Sequence, residues 1–350
     1  MGHINALGNA SNALVLNAGT LNLNGNSLSV SSLSGSAGTV SNSSASTLAI
    51  LTANASGNST FSGVIQDGNG SVGLTKSGSG SLTLAGVNSY TGPTTVAGGT
   101  LVVNGSIQTD VSIAGGAFLG GSGTIGTNTV GALSGAGTIS PGGSPGSSTG
   151  AAGMLSAYTF DPSAGLGAAF EFTSAGLPDF TQPANSLNDV LNLMNDTADP
   201  FAGFGGLNSA NTIDIYFNVG SNQAGGTFTG GFFVNFGAGS FGSSGDLVSA
   251  VQNATISYWL KSTNSEPTAR TFNGVHYESL ASSTVTLNAV DATVNIIGGF
   301  ITEFTVAPVP EPNSMILAGI GIAVATWSLR KRRRRSPETG TGTVSAKRGG

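Results

Sequence analysis

Short bursts of alternating apolar and polar residues, closed by glycine or asparagine, recur through the first 150 residues: LVL at 14–16, TLNLN at 20–24, SLSVSSL at 27–33, SLTL at 81–84 and TLVV at 100–103. Alternation over four to six residues reads as β-strand, because successive side chains point to opposite faces. One such strand cannot bury its apolar face alone. Leu82 and Leu101 hold equivalent places nineteen residues apart. A repeat of that length is about one coil of a solenoid, in which each rung covers the apolar side of the next.

Composition agrees with a chain built from turns and strands. Glycine accounts for 56 of 350 residues, and charged residues for only 8%, against roughly a quarter in ordinary soluble domains. Gly/Ser richness also describes flexible linkers, but a hydrophobic share of 39% in regular bursts gives the chain something to bury. Near residue 150 the composition changes. Residues 151–308 hold fifteen of the 17 phenylalanines, Trp259 and four of the five tyrosines. Segments such as AAFEF, TIDIYFNV, GGFFVNF, ATISYWL, STVTLNAV and ATVNIIGGF predict further strands, in a β-sandwich or a continued, wider solenoid. The one helix candidate is 186–195, where Ser186 and Asp189 have capping-box spacing and Leu187, Val190, Leu191 and Met194 share a face; DVLNLMN fits a strand as well.

Charge is segregated along the chain. Up to Leu329 there are three basic residues (Lys76, Lys261, Arg270) against fifteen acidic ones, a net of −12; beyond it there are eight against one, +7, which together give the −5 of the whole chain. So acidic a body argues against nucleic-acid binding, which needs a basic face. Cysteine is absent, which excludes disulfides and thiolate metal sites and leaves the redox compartment open.

The C-terminal region has three parts in order. Pro310, Glu311 and Pro312 hold the backbone extended, because proline has no N–H and steers its predecessor away from the α region. Residues 315–329, MILAGIGIAVATWSL, carry no charge. Fifteen helical residues span about 22 Å, so the flanking Asn313, Ser314 and the stem of Arg330 are needed to cross a bilayer core of about 30 Å. Arg330, Lys331, Arg332, Arg333, Arg334 and Arg335 follow. A buried core helix is the competing reading of the apolar stretch, and six abutting cations weigh against it. By the positive-inside rule the cluster fixes the tail in the cytoplasm and puts the acidic body outside.

Residues 309–335 resemble the PEP-CTERM sorting signal of Gram-negative bacteria. The resemblance implies an exported protein, recognised and cleaved near Pro310-Glu311-Pro312 by an exosortase-type enzyme. The polar tail 336–350 is longer than the family's usual ending. MGHINALGNASN lacks the basic and apolar regions of a signal peptide; export requires one, so the expectation is a truncated or misassigned start. A second resemblance covers 61–103. Lys76 before Gly78-Ser79-Gly80, the SLTLAG strand, the Asn88-Ser89-Tyr90-Thr91-Gly92 turn, and Thr95-Val96 leading to Gly99-Thr100-Leu101 are similar to the autotransporter-associated β-strand repeat. That repeat implies a right-handed parallel β-helix and a surface passenger, without implying an activity. LGGSGTIG (119–126) and ISPGGSPG (139–146) look like the segments that commonly trail it. The membrane β-barrel of a full autotransporter, with its alternating ten-residue strands, is not seen in this sequence.

No catalytic site rises above background. Gly121, Gly123 and Gly126 satisfy the dinucleotide-loop spacing, but TNTVGALSGAG after them is a poor helix, and that fingerprint works only between a strand and a helix. Gly142, Ser144 and Gly146 satisfy the nucleophile-elbow spacing, yet Pro145 occupies the position whose N–H would complete the oxyanion hole. His3 and His276 stand far apart, with no second histidine at metal-ligand spacing. Glu171, Asp179, Asp189, Asp196, Asp199 and Asp214 offer carboxylates for a glycosidase pair, and read more simply as a solvated acidic surface. Asp196 and Asp199 have no calcium-loop context.

The sequence therefore predicts an all-β chain: a right-handed parallel β-helix over 1–150, a second β-rich region over 151–308, a sorting signal with one transmembrane helix over 309–335, and a polar tail. The expected function is that of a non-enzymatic envelope or matrix protein, structural or adhesive, with a membrane-anchored precursor, no cofactor or metal, and exopolysaccharide as a candidate partner. The alternative is a carbohydrate-binding or carbohydrate-active β-helix acting on matrix polysaccharide.

Overall fold

A computed structural model describes residues 11–127, 130–142, 153–172, 189–193 and 210–217, and the strand backbone of 226–229, 234–235, 255–261, 270–272, 275–279, 284–287, 290–297 and 300–308. The chain is a parallel β-solenoid of about six turns, with no helix among the described residues.

Each coil contributes a short strand to each of three sheets in turn. The ten-stranded sheet takes Ser59–Phe61, Ser81–Leu84, Thr100–Val103, Phe118–Gly121, Thr138–Pro141 and Gly167–Phe172, all in parallel. The seven-stranded sheet takes Leu28–Val30, Leu48–Asn54, Ser71–Ser77, Thr94–Val96, Val111–Ile113, Ala132–Gly135 and Thr159–Phe160. The third side is split into a three-stranded sheet (Thr20–Asn22, Thr39–Ser41, Val64–Ile65) and a five-stranded one that begins at Ser106–Ile107.

Register puts like on like. Leu82 stands opposite Leu101, Leu101 opposite Leu119, and Leu119 opposite Ile139; all four are fully buried. On the seven-stranded sheet Leu28, Leu51 and Leu74 stack in the same way. Each buried leucine contributes about 1.5–3 kcal/mol relative to exposure, and each is covered only when its neighbouring coil is in place. The spacings between these partners are 18 to 23 residues from Ser59 to Ile139, then 29 to Ala168. The sheets run on past residue 150 through Met154–Ala157, Thr159–Phe160 and Gly167–Phe172. Thr212–Phe217 and Thr255–Lys261 continue the ten-stranded sheet in parallel, after which Val275–Ser279 and Arg270–Phe272 pair antiparallel. Gly226–Thr229, Thr284–Leu287, Val290–Ile297 and Phe300–Pro308 form a separate antiparallel sheet. Where helix and strand were both open, at 186–195, the structure makes Val190–Leu193 a strand beside Met154–Ala157; residues 186–188 and 194–195 lie outside the described residues.

The corners are held by side chains that reach between coils. Asn88 fills the break in the third side: its Oδ1 accepts the Ile65 N–H at 2.9 Å, and its Nδ2 donates to the carbonyls of Gly86 and Ser106 at 2.9 and 3.0 Å. Asn42 Oδ1 accepts the N–H groups of Gly25 and Ser44, while its Nδ2 donates to Thr47 and Ser71 carbonyls. Asp67 accepts the N–H groups of Val72 and Thr91 and the Thr91 hydroxyl. Tyr90 points into the core and its hydroxyl meets Thr94 Oγ1 at 2.7 Å; burial pushes the phenol above its ordinary range. Left-handed backbone is needed at Gly78 (φ +77°), where a Cβ would lie 2.5 Å from the Ala55 carbonyl oxygen.

Lys76 is the most unusual of these groups. Its side chain is fully buried in the interior, and its Nζ donates to the carbonyls of Ser77, Gly78 and Gly98 at 2.7, 3.0 and 3.0 Å. All three ammonium protons are thereby used, each on backbone. Those carbonyls favour the charged form; burial opposes it more strongly and takes the pKa down from 10.5 to about 8. Replacing Lys76 with methionine keeps the apolar stem and orphans three carbonyls, so it is expected to cost about 2–4 kcal/mol in denaturant unfolding. The pH dependence has a definite sign. Because the folded pKa, about 8, lies below 10.5, the unfolded chain binds the extra proton between those values, and wild-type stability rises relative to Lys76→Met across that window. Unfolding curves for both proteins at pH 7.5 and 10.5 check this; a wild-type advantage that shrinks with pH contradicts it.

Candidate functional site

Pro310, Glu311, Pro312 and the cluster Arg330, Lys331, Arg332, Arg333, Arg334 and Arg335 lie outside the described residues, as does the apolar stretch 315–329. Among the described residues no helix is long and apolar enough to cross a membrane.

The two glycine motifs fall where turns are needed. Gly121 ends the strand Phe118–Gly121, and Thr124–Ile125 begins the next, so strand–turn–strand replaces the strand–helix junction that a dinucleotide needs. Gly142 forms an isolated bridge to Gly121; Ser144, Pro145 and Gly146 lie outside the described residues. His276 sits on the strand Val275–Ser279, and His3 is outside. Among the described residues no group of three histidines or carboxylates is placed to hold a metal ion.

The carboxylates require a correction. Read as a solvated surface, Glu171, Asp189 and Asp214 are instead buried, at 3%, 3% and 6% exposure; Asp179, Asp196 and Asp199 are outside the described residues. Asp189 stands at the corner before Val190–Leu193. Its Oδ2 accepts the Glu171 N–H at 2.8 Å, its own N–H donates to the Glu171 carbonyl, and the Gly153 N–H reaches the same carboxylate. It thus ties the end of one sheet's strand to the start of another's, as Asp67 and Asn42 do earlier in the chain. Burial, reinforced by the charge of Glu171 beside it, holds its carboxyl well above the usual range. Asp214 pairs in the ladder with Ala169, and Glu171 with the buried Tyr216. Sequence pattern gives no signal for this burial, because coils of 29 residues and more conceal which carboxylate falls at a corner. Ser140 is also buried, and its Oγ has no hydrogen-bond partner. Its ladder neighbour is Gly120, which supplies no base.

The segment from Leu74 to Val103, which holds Lys76 and the Asn88 corner, is one that matches a known family. Residues 74–103 match the passenger-associated-transport-repeat, and residues 308–334 match the PEP-CTERM protein-sorting motif. No curated protein and no solved structure matches the chain. The repeat match contains Lys76, Asn88 and Tyr90, the three residues that fill the coil interior and its broken side. The sorting match spans Pro310-Glu311-Pro312, the apolar stretch and five of the six cations. Together these place a sorting motif of the PEP-CTERM kind behind an autotransporter-type β-solenoid, the signature of an exported, extracytoplasmic protein.

Proposed function

We propose that this chain is a structural or adhesive protein of the bacterial envelope or extracellular matrix, without catalytic activity. It is made as a precursor held in the inner membrane through 315–329, with the body outside, and is processed near Pro310-Glu311-Pro312 by an exosortase-type enzyme. The observation that carries the reading is the sorting motif at 308–334, on a chain whose positive charge is concentrated at the end of that motif and just beyond it. Residues 309–335 act as a sorting unit, separate from the β-rich body 1–308.

The physical basis of processing is local. Both prolines keep the segment out of the helix that follows, and Glu311 is the one charge between Glu303 and Arg330. Pro310→Ala with Pro312→Ala lets helix extend upward from the membrane and withdraws the backbone a protease must read. Precursor with an intact tail is then expected to accumulate in the membrane fraction of a host that carries the processing enzyme, measured by mass spectrometry of the C-terminus. Equal tail loss in both proteins defeats the assignment.

Orientation has its own test. Changing 332–335 from arginine to glutamate removes most of the inward charge bias. A topology reporter fused after residue 335 is expected to lose most of its cytoplasmic signal. An unchanged signal means that the cluster does not set the topology.

A further inference from the structure

The outer face of the seven-stranded sheet carries a feature that neither match accounts for. Ser29 stands opposite Thr52, Thr52 opposite Thr75, Thr75 opposite Thr95, Thr95 opposite Ser112, and Ser112 opposite Ser134. Six consecutive coils thus present a hydroxyl at the same outward position, flanked by inward, buried residues such as Leu74 and Lys76 or Val111 and Ile113; Gly135, beside Ser134, is half-exposed. Strands in a sheet lie about 4.8 Å apart, so the column runs for about 24 Å along the solenoid axis. Each of the six residues is exposed or half-exposed. Among the described residues none of the six hydroxyls is hydrogen-bonded to another protein group. Elsewhere in the solenoid the hydroxyls of Thr47, Thr91 and Thr94 are engaged at corners or in the core.

The other two sides do not repeat this. On the ten-stranded sheet the outward position passes from Thr60 and Thr83 to Val102 and Gly120, and Val102 is already buried. The third side is broken at Asn88. Flanking the column, Ala97, Ala114 and Ala136 are small and exposed, leaving the hydroxyls unobstructed. The nearest charge on the other flank is Asp110, whose Oδ1 is already held by the Gly131 and Ala132 N–H groups at 2.8 Å.

We propose that this face is a docking track for a neutral polysaccharide chain lying along the solenoid axis. A hydroxyl both donates and accepts, as do the groups of a sugar polymer. The face has no cations to draw phosphate or carboxylate polymers; its large aliphatic residues are the exposed Leu48 and half-exposed Ile50 on a single strand, too few for a lipid-binding patch. Its spacing is fixed by the sheet, so little ordering is lost on binding. Each hydrogen bond contributes modestly, and six in register act together on one chain as a multivalent contact. The proposal deepens the adhesive reading and rests on it only for its biological setting, since binding is measured on purified protein whatever happens at Pro310-Glu311-Pro312.

The test is co-sedimentation of the full chain, in mild detergent, with insoluble cellulose, with curdlan, and with calcium-alginate beads as the anionic control. Binding to at least one neutral glucan and not to alginate is expected. Replacing Thr52, Thr75 and Thr95 together by valine keeps β-branching and removes three hydroxyls; retention is expected to weaken at least tenfold with the thermal midpoint unchanged. Ser112→Lys, at an exposed position, puts a charge and bulk into the track, is expected to have the same effect, and carries the test if the triple variant fails to fold. Unchanged retention in a folded variant, preference for alginate, or binding to neither glucan overturns the proposal. So does concentration-dependent dimerisation that the valine variant abolishes, which assigns the face to a second copy of the chain.

Discussion

In-register parallel pairing between successive coils is the interaction on which everything else in this molecule depends. A three- or four-residue strand such as Val111–Ile113 has too little surface to be stable alone. Stacked between Thr94–Val96 and Ala132–Gly135, it satisfies its backbone groups on both sides and places Val111 and Ile113 in a continuous column. A slip of one residue turns every side chain of a coil to the opposite face. Here it would bring Ser112 inward and expose two aliphatic residues. The apolar columns therefore specify the register, and the register in turn aligns whatever lies on the outside, including the hydroxyl column.

Closing a coil needs three corners, and a corner leaves backbone groups that no strand satisfies. This protein meets that cost with side chains that mimic backbone: Asn42, Asn88, Asp67, Asp110 and Asp189 all bond main-chain atoms of an adjoining coil. Lys76 solves the same problem from the donor side, gathering three carbonyls with one ammonium. These groups explain why a chain with so few charges buries several of them. Buried and bonded, they fix geometry; unbonded, each would cost more than a surface position ever returns.

Much of the first half was legible in the sequence. LVL, TLNLN, SLTL and TLVV each coincide with a strand, and the nineteen-residue interval between Leu82 and Leu101 is a ladder pair. SLSVSSL is different: it holds two strands on two sheets, Leu28–Val30 and Ser32–Ser34, because the corner at Ser31 uses no glycine or asparagine and alternation alone cannot show it. Beyond residue 150 the strands were readable and their partners were not. Ala168 to Ile213 is 45 residues and Ile213 to Ile256 is 43, so the repeat that announces a solenoid is diluted past recognition. The same dilution hid the corner role of Asp189. The sorting residues stood out for the opposite reason: proline, an uncharged apolar run and clustered arginine are signals of composition and order, independent of any fold.

The two parts of the chain answer different physical demands. The solenoid gains stability from neighbour to neighbour, so lengthening or shortening it by a coil alters its reach without altering its chemistry. That is useful in a protein whose outer face is a repeated column, since the number of hydroxyls in line grows with the number of coils. The C-terminal motif is indifferent to coil number, because it is a local pattern of proline, uncharged apolar residues and basic residues. Segregating the charge keeps the two from interfering. Seven net positive charges are confined behind residue 329, and three basic residues are spread over everything before it. The same scarcity of cations leaves the seven-stranded sheet's outer face to hydroxyls alone. The economy of charge that serves sorting also gives that surface its neutral character.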